Sequence, residues 1–129
     1  MAELSNGGTA VLSASRSIRA PVGVEFRLAI AFYPGCRVFS EQSYRARIPV
    51  TILQGLVDDW TQAQPYKSLS GVTFVGYPET YHDFDHPNLA VKTRKAAFSA
   101  NGSGIVTVGT NPEARAQAIA RTMSLFSRM

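Results

Sequence analysis

Two residues of this chain combine the type and spacing needed for chemistry. Asp58 stands in Gly55-Leu56-Val57-Asp58-Asp59-Trp60-Thr61, and His82 in Tyr81-His82-Asp83-Phe84-Asp85-His86-Pro87. A carboxylate that fixes the tautomer of an imidazole makes it an effective general base. Such a base takes the proton from a serine hydroxyl, which is otherwise a poor nucleophile. Each residue follows an apolar run. Ile48-Pro49-Val50-Thr51-Ile52-Leu53-Gln54-Gly55 has the composition of a strand buried on both faces, and Val72-Thr73-Phe74-Val75-Gly76-Tyr77-Pro78 is a second such run. Catalytic groups of open α/β sheets gather beyond the carboxyl ends of the strands, so an acid and a histidine on consecutive strand-end loops are placed to meet. They are the second and third members of a triad in the order Ser…Asp…His.

Other residues compete for roles. Asp59 is the rival acid, with capping of a following helix as its structural alternative. His86 with His82, Asp83 and Asp85 is a candidate metal cluster, against a loop held by local side-chain-to-backbone bonds. Cys36, just past a strand end, is a second candidate nucleophile, against a small buried hydrophobe. Trp60 and Tyr81 either line a substrate pocket or fill core.

The stretch Gly55-x-x-Asp58-Asp59-Trp60-Thr61, followed by Tyr77-Pro78-x-x-Tyr81-His82-Asp83-Phe84-Asp85-His86-Pro87, resembles the carboxyl half of dienelactone hydrolase-type α/β-hydrolases. Leu4-Ser5-Asn6-Gly7-Gly8-Thr9-Ala10 resembles that family's nucleophile elbow, and Ala29-Ile30-Ala31-Phe32-Tyr33-Pro34-Gly35-Cys36 the strand after it. The resemblance implies Ser5 as nucleophile, His82 as base, Asp58 as orienting acid and the Asn6 backbone N–H as first oxyanion donor. It runs along nearly the whole chain and covers about the second half of a typical family member, which implies a truncated or minimal form. The family's second oxyanion donor comes from a loop early in the sheet that this sequence does not contain. Loss of one such donor costs on the order of 100- to 1000-fold in rate, so the resemblance implies a weak enzyme.

An elbow needs small residues around its nucleophile, because the strand-to-helix turn is tight. Gly7 and Gly8 supply them after Ser5, whereas Glu3 stands where the motif has glycine, and only Met1-Ala2 precede it as strand. The plainer role for Ser5 is an N-cap. A helix is expected from Gly8 to Arg19, with Ala10, Val11, Ala14 and Ile18 on its apolar face, ended by Pro21 and Gly23. Strands are expected at 26–33, 48–54 and 72–77, with 37–47 a solvated loop and Thr61–Ser70 a short helix interrupted by Pro65. Lys95–Ser99 and Gly104–Val108 flank Asn101-Gly102-Ser103, a hairpin signal. Thr110 or Asn111 as N-cap, Pro112 and Glu113 then start a helix over 112–128, with Ala116, Ile119, Ala120, Met123 and Phe126 facing the sheet.

With 129 residues, 45% of them apolar, the chain is long enough for one domain with a modest core. Its net charge of +4 is mild and its cations are scattered apart from Lys92-Thr93-Arg94-Lys95, so nucleic acid is not an expected partner. One cysteine rules out an internal disulfide framework. No apolar run approaches the roughly 18 residues of a membrane span. The amino terminus lacks the charged-then-apolar pattern of a signal peptide. These features point to the cytoplasm, with a secreted or periplasmic location left open.

The reading that follows is a partial α/β-hydrolase fold. It has about three parallel strands, flanking helices and a small hairpin near the carboxyl terminus, all in one truncated domain over 1–129. The expected activity is hydrolysis of a small carboxylic ester or lactone by Ser5, His82 and Asp58, without a cofactor or metal. The alternatives are an inactive oligomeric binding or structural remnant, and a half-enzyme completed by a separate chain. In the family another strand lies beside the one at 26–33. Without it a bare apolar edge would invite a second copy, so a homodimer is expected.

Overall fold

The computed structural model describes residues 2–17, 20–35, 39, 43–63, 66 and 69–129. Their elements, in chain order, are β1 (Ala2–Leu4), α1 (Ser5–Ser17), β2 (Ala29–Phe32), β3 (Arg45–Gly55), β4 (Ser70–Tyr77), β5 (Lys92–Lys95), β6 (Ile105–Val108) and α2 (Pro112–Ser127). The chain divides into two compact units: Met1–Leu53 with Gln64–Val75, and Gln54–Ala63 with Gly76–Met129.

The main sheet has the order β1-β2-β3-β4, with β1, β2 and β3 parallel. Ser70 N–H donates to Tyr44 O at one end of β4 and Leu56 N–H to Tyr77 O at the other, so β4 runs in the same sense as β3. All three expected strands are present, trimmed to 29–32 and extended to 45–55 and 70–77. The expectation of a bare edge at 26–33 is overturned. Ala2, Glu3 and Leu4 pair with Ile30, Ala31 and Phe32, so β2 is interior and a strand does precede Ser5. Three residues suffice because β1 borrows its register from the apolar β2 ladder, whose Ala29, Ile30 and Ala31 are buried.

Residues 45–47 belong to β3, not to a solvated loop, and Phe39 and Tyr44 beside them are core residues with rings edge-to-face at 5.4 Å. Aromatic burial outweighs the scattered charges that made 37–47 read as loop. Residues 61–63 are not helical, and Ser70 already begins β4; the rest of the expected helix, including Pro65, lies largely outside the described residues.

The expected helix near the start runs Ser5–Ser17, with Ile18 and Arg19 outside the described residues. Its buried face is turned from the expected one. Gly8, Val11, Leu12 and Ser15 are buried, while Ala10 and Ala14 are exposed. Burying the leucine gains more than burying two alanines, and Ser15 satisfies its hydroxyl on Val11 O at 2.7 Å. Helix α1 packs against β1 and β2.

In the second unit β5 and β6 pair antiparallel, with Lys92 opposite Val108 and Lys95 opposite Ile105. The hairpin begins earlier than expected. Ala96 N–H donates to Gly104 O at 2.9 Å, and the loop is held by Ser99, whose hydroxyl donates to Asn101 Oδ1 at 3.1 Å and accepts from Gly104 N–H at 2.9 Å. Helix α2 starts as expected, with Asn111 as N-cap accepting from Ala114 N–H at 3.1 Å and Pro112 next. Its expected inner face is overturned. Ala114 and Ala118 are buried, whereas Ala116 and Ala120 are exposed and Ile119, Met123 and Phe126 are 46%, 66% and 40% exposed. The cap and the Arg115 Nε–H bond to Asp85 O at 3.0 Å set the helix rotation, and these polar anchors turn the small residues inward. Among the described residues no helix is long and apolar enough to cross a membrane.

One glycine closes β3 for a steric reason. A Cβ on Gly55 would sit 2.1 Å from Thr80 O and 2.7 Å from Thr80 C, so only glycine lets the two backbones approach. Gly55→Ala is expected to lower stability by about 3 kcal/mol, at the upper end of overpacking costs, as read by urea denaturation. An unchanged midpoint would show that the approach is not constrained.

Candidate functional site

The site grows from the turn that ends β3. Asp58 is followed by two backbone N–H groups that fold back on it: Trp60 N–H and Thr61 N–H donate to Oδ1 at 2.8 and 2.9 Å. This is an Asx-type turn, in which the side chain supplies the acceptor that the short turn lacks. The other oxygen, Oδ2, accepts from Gln54 Nε2 at 2.8 Å and from the Thr61 hydroxyl at 3.0 Å. His82 Nδ1 lies 2.7 Å from the same oxygen, with both side chains buried. All these partners are donors, so both carboxylate oxygens act as acceptors and Nδ1 carries the hydrogen. The neutral ring then presents Nε2 as its lone-pair nitrogen, the arrangement a general base requires.

His82 is fixed from the backbone as well. It bridges Val108 of β6, and Gly109 N–H donates to His82 O at 3.1 Å. A Cβ on Gly109 would lie 2.6 Å from Val91 Cα, so this close return of the chain also needs glycine. Glu79 and Asp83 on either side of His82 have φ of 52° and 59°, the left-handed turns that throw the histidine inward. Thr80 ties the loop to α2, for its hydroxyl donates to Pro78 O at 2.8 Å and accepts from Asn111 Nδ2 at 2.9 Å.

The rival acid has another task. Asp59 accepts from Thr107 N–H at 2.7 Å and from the Thr107 hydroxyl at 2.8 Å, and its carbonyl accepts from Ala100 N–H at 2.7 Å. It therefore pins β6 and does not cap a helix; the turn-capping role falls to Asp58. Trp60 is half-buried, with its ring 4.7 Å from that of His82 at 43°, and the Arg94 guanidinium lies 5.1 Å from the Trp60 centroid. Tyr81 is half-buried. His86 makes the local bonds of a loop: its Nδ1 accepts from Asn88 N–H at 3.3 Å and its N–H donates to Asp83 O at 3.1 Å. Among the described residues no three His, Cys, Asp or Glu side chains gather to hold a metal ion.

Ser5 is the first residue of α1, directly after the last residue of β1, so strand passes to helix at the serine itself. Asn6 follows as the second helical residue and is exposed, its N–H among the first-turn donors with no partner inside the helix. Cys36 lies outside the described residues.

Gln54, Thr61 and Arg94 were not singled out from sequence. Gln54 carries a readable signal, a lone amide at the end of an otherwise apolar strand, which must find a partner when buried. Thr61 three residues after Asp58 fits an Asx-turn spacing. Arg94 reaches Trp60 only through the β5–β6 pairing, which no local pattern announces. Near this site a cavity of about 170 Å³ is lined by Tyr77, Thr80, Asn111, Glu113 and Gln117 among others, and not by Asp58 or His82. Burial holds the Tyr77 phenol above its ordinary pKa, against the pull of Arg121.

Asp58→Ala strands buried donors of Trp60, Thr61 and His82 and is expected to cost about 3 kcal/mol. Asp59→Ala frees the Thr107 bonds in a half-buried place, for about 1 kcal/mol. Urea midpoints of the two variants check the ranking, and equal losses would refute it.

No family model matches the chain, and neither does any curated protein or solved structure.

Proposed function

We propose that this chain is a serine hydrolase of small carboxylic esters or lactones, built as a reduced α/β-hydrolase fold of the dienelactone hydrolase type. His82 is the general base, Asp58 its orienting acid, Ser5 the nucleophile and the Asn6 N–H an oxyanion donor. The observation that carries the reading is the buried Asp58–His82 pair at 2.7 Å, with every other acceptor position of the carboxylate filled. A carboxylate so held fixes the tautomer and ring orientation of His82. The direct passage from β1 into α1 at Ser5 supports the nucleophile assignment, because an elbow is a strand-to-helix turn of that kind. The chemistry needs no cofactor: His82 accepts the serine proton as the acyl bond forms and returns it to the leaving alcohol.

A second reading, an inactive oligomeric binding or structural protein of the same fold, is favoured by two observations. His82 is wholly buried, and Ile119, Met123 and Phe126 form an exposed apolar stripe on α2. A second copy covering that stripe would make the homodimer expected from sequence, though through a helix and not through a strand edge.

Hydrolysis of p-nitrophenyl acetate, measured for wild type beside Ser5→Ala, His82→Ala and Asp58→Asn, separates the readings. The hydrolase reading expects turnover by wild type and a fall to the buffer rate for the serine and histidine variants. Wild type indistinguishable from buffer would reject it. Light scattering of wild type and Ile119→Glu/Met123→Glu tests association: a dimer that dissociates in the variant is expected, and a wild-type monomer at all concentrations would exclude it.

A further inference from the structure

The strand pair of the second unit has one side closed and one side open. Strands β5 and β6 set Thr93 opposite Thr107 and Lys95 opposite Ile105. Thr107 N–H turns away from β5 to Asp59 Oδ1 at 2.7 Å. Ile105 N–H turns away to the Ser103 hydroxyl at 3.2 Å, and that hydroxyl donates to Ile105 O at 3.1 Å. These are therefore the non-hydrogen-bonded pairs of the ladder, so the backbone groups of Thr93 and Lys95 point outward from β5. Val108 of β6 bridges His82, which completes the cover on that strand. On β5 the outward N–H and C=O groups of Thr93 and Lys95 have no partner among the described residues, and all four residues of the strand are exposed. The open edge is also basic. Lys92 and Arg94 stand on one face of the strand and Lys95 on the other. Among the described residues none of the three is in an ion pair, and the Arg94 guanidinium is held 5.1 Å from the Trp60 centroid.

We propose that β5 is a docking edge for an extended acidic segment of a partner protein, which joins the pair as a third strand. A row of outward N–H and C=O groups is a template for strand addition, in which the main chain gives affinity and the alternating side chains give specificity. The charges decide which strand is accepted. A second copy on the same edge would set Lys92, Arg94 and Lys95 against their own like, and like charges across a ladder destabilise it. Asp and Glu on an extended segment alternate between its faces and meet cations on both sides of β5. Arg94 is already steadied by Trp60, so less side-chain freedom is lost when a carboxylate arrives. A nucleic acid would meet the same cations but would leave the backbone row unfilled. The edge uses none of the residues assigned to ester hydrolysis, and the proposal stands whether or not that activity is found.

The test is fluorescence anisotropy of a short labelled peptide in which glutamate alternates with valine, titrated with the whole chain at low ionic strength. Saturable binding is expected, and the same peptide with lysine in place of glutamate is expected to bind about tenfold or more weakly. A version of the acidic peptide with N-methylated backbone along one edge keeps every charge but cannot complete a ladder, and a loss of about tenfold or more is expected. On the protein side, Thr93→Pro removes one outward N–H and spares the β5–β6 bonds, because proline is tolerated on the open side of an edge strand. It is expected to weaken the acidic peptide about tenfold, while Thr93→Ala binds like wild type. Lys92→Ala/Lys95→Ala is expected to weaken it as well, whereas Arg45→Ala/Arg47→Ala, which removes the same charge from the other unit, leaves it unchanged. Circular dichroism confirms that each variant is folded, and the N-methylated peptide tests the ladder on wild type alone. The proposal is overturned by binding that does not saturate, by the N-methylated peptide binding as well as the unmodified one, by folded Thr93→Pro binding like wild type, or by the arginine variant losing as much as the lysine variant. A single-stranded oligonucleotide that displaces the acidic peptide at far lower concentration than unlabelled peptide would also overturn it, in favour of a nucleic-acid surface.

Discussion

The second unit depends on the burial of one carboxylate. Taking Asp58 out of water is costly unless each of its acceptor positions is filled, and here they are filled by Gln54, Trp60, Thr61 and His82. That requirement explains features that look unrelated in the chain. An amide ends an apolar strand because Oδ2 needs it. Thr61 follows three residues after the acid because its N–H and its hydroxyl both return to it. His82 is drawn in because it completes the set, and Gly55 makes room for its loop by letting the Thr80 carbonyl lie where a Cβ would be.

Much of this was legible in sequence, for physical reasons that also mark where legibility stopped. Ile48–Gly55 and Val72–Tyr77 read as strands because continuous apolar, β-branched residues have few other fates. The approach of Asp58 and His82 followed from the rule that strand ends converge. The start of α2 was readable because Asn111, Pro112 and Glu113 are local signals that act on their own few bonds. Helix rotation was not readable in the same way. For α1 the competition was between Leu12 and two alanines, and for α2 between an apolar stripe and the polar anchors Asn111 and Arg115. Such contests are decided by partners far along the chain. Strand β1 was missed because three residues with a glutamate among them carry almost no strand signal, and their structure comes from the β2 ladder they join.

The two adjacent acids show how neighbouring residues of one type divide labour. Asp58 and Asp59 are neighbours in sequence, yet they serve different partners. One closes the turn on itself and reaches the histidine; the other holds Thr107 and so keeps the β5–β6 pair against the end of β3. Since His82 is bridged to Val108 of the same β6 strand, Asp59 steadies from outside the imidazole that Asp58 orients from within. The positioning of the pair is thus shared between two carboxylates, only one of which touches the ring.

The complete burial of His82 bears on what the pair can do. The Trp60 ring lies tilted beside the imidazole, 4.7 Å between centroids, and proton transfer takes place at the imidazole edge, through Nε2 in the plane of the ring. An indole tilted at 43° beside the ring does not by itself obstruct a general base; it removes water from one side and strengthens the Asp58 bond by lowering the local dielectric. The same seclusion gives a purely structural histidine its stability. What separates the two roles is whether the in-plane edge meets a hydroxyl that can lose a proton.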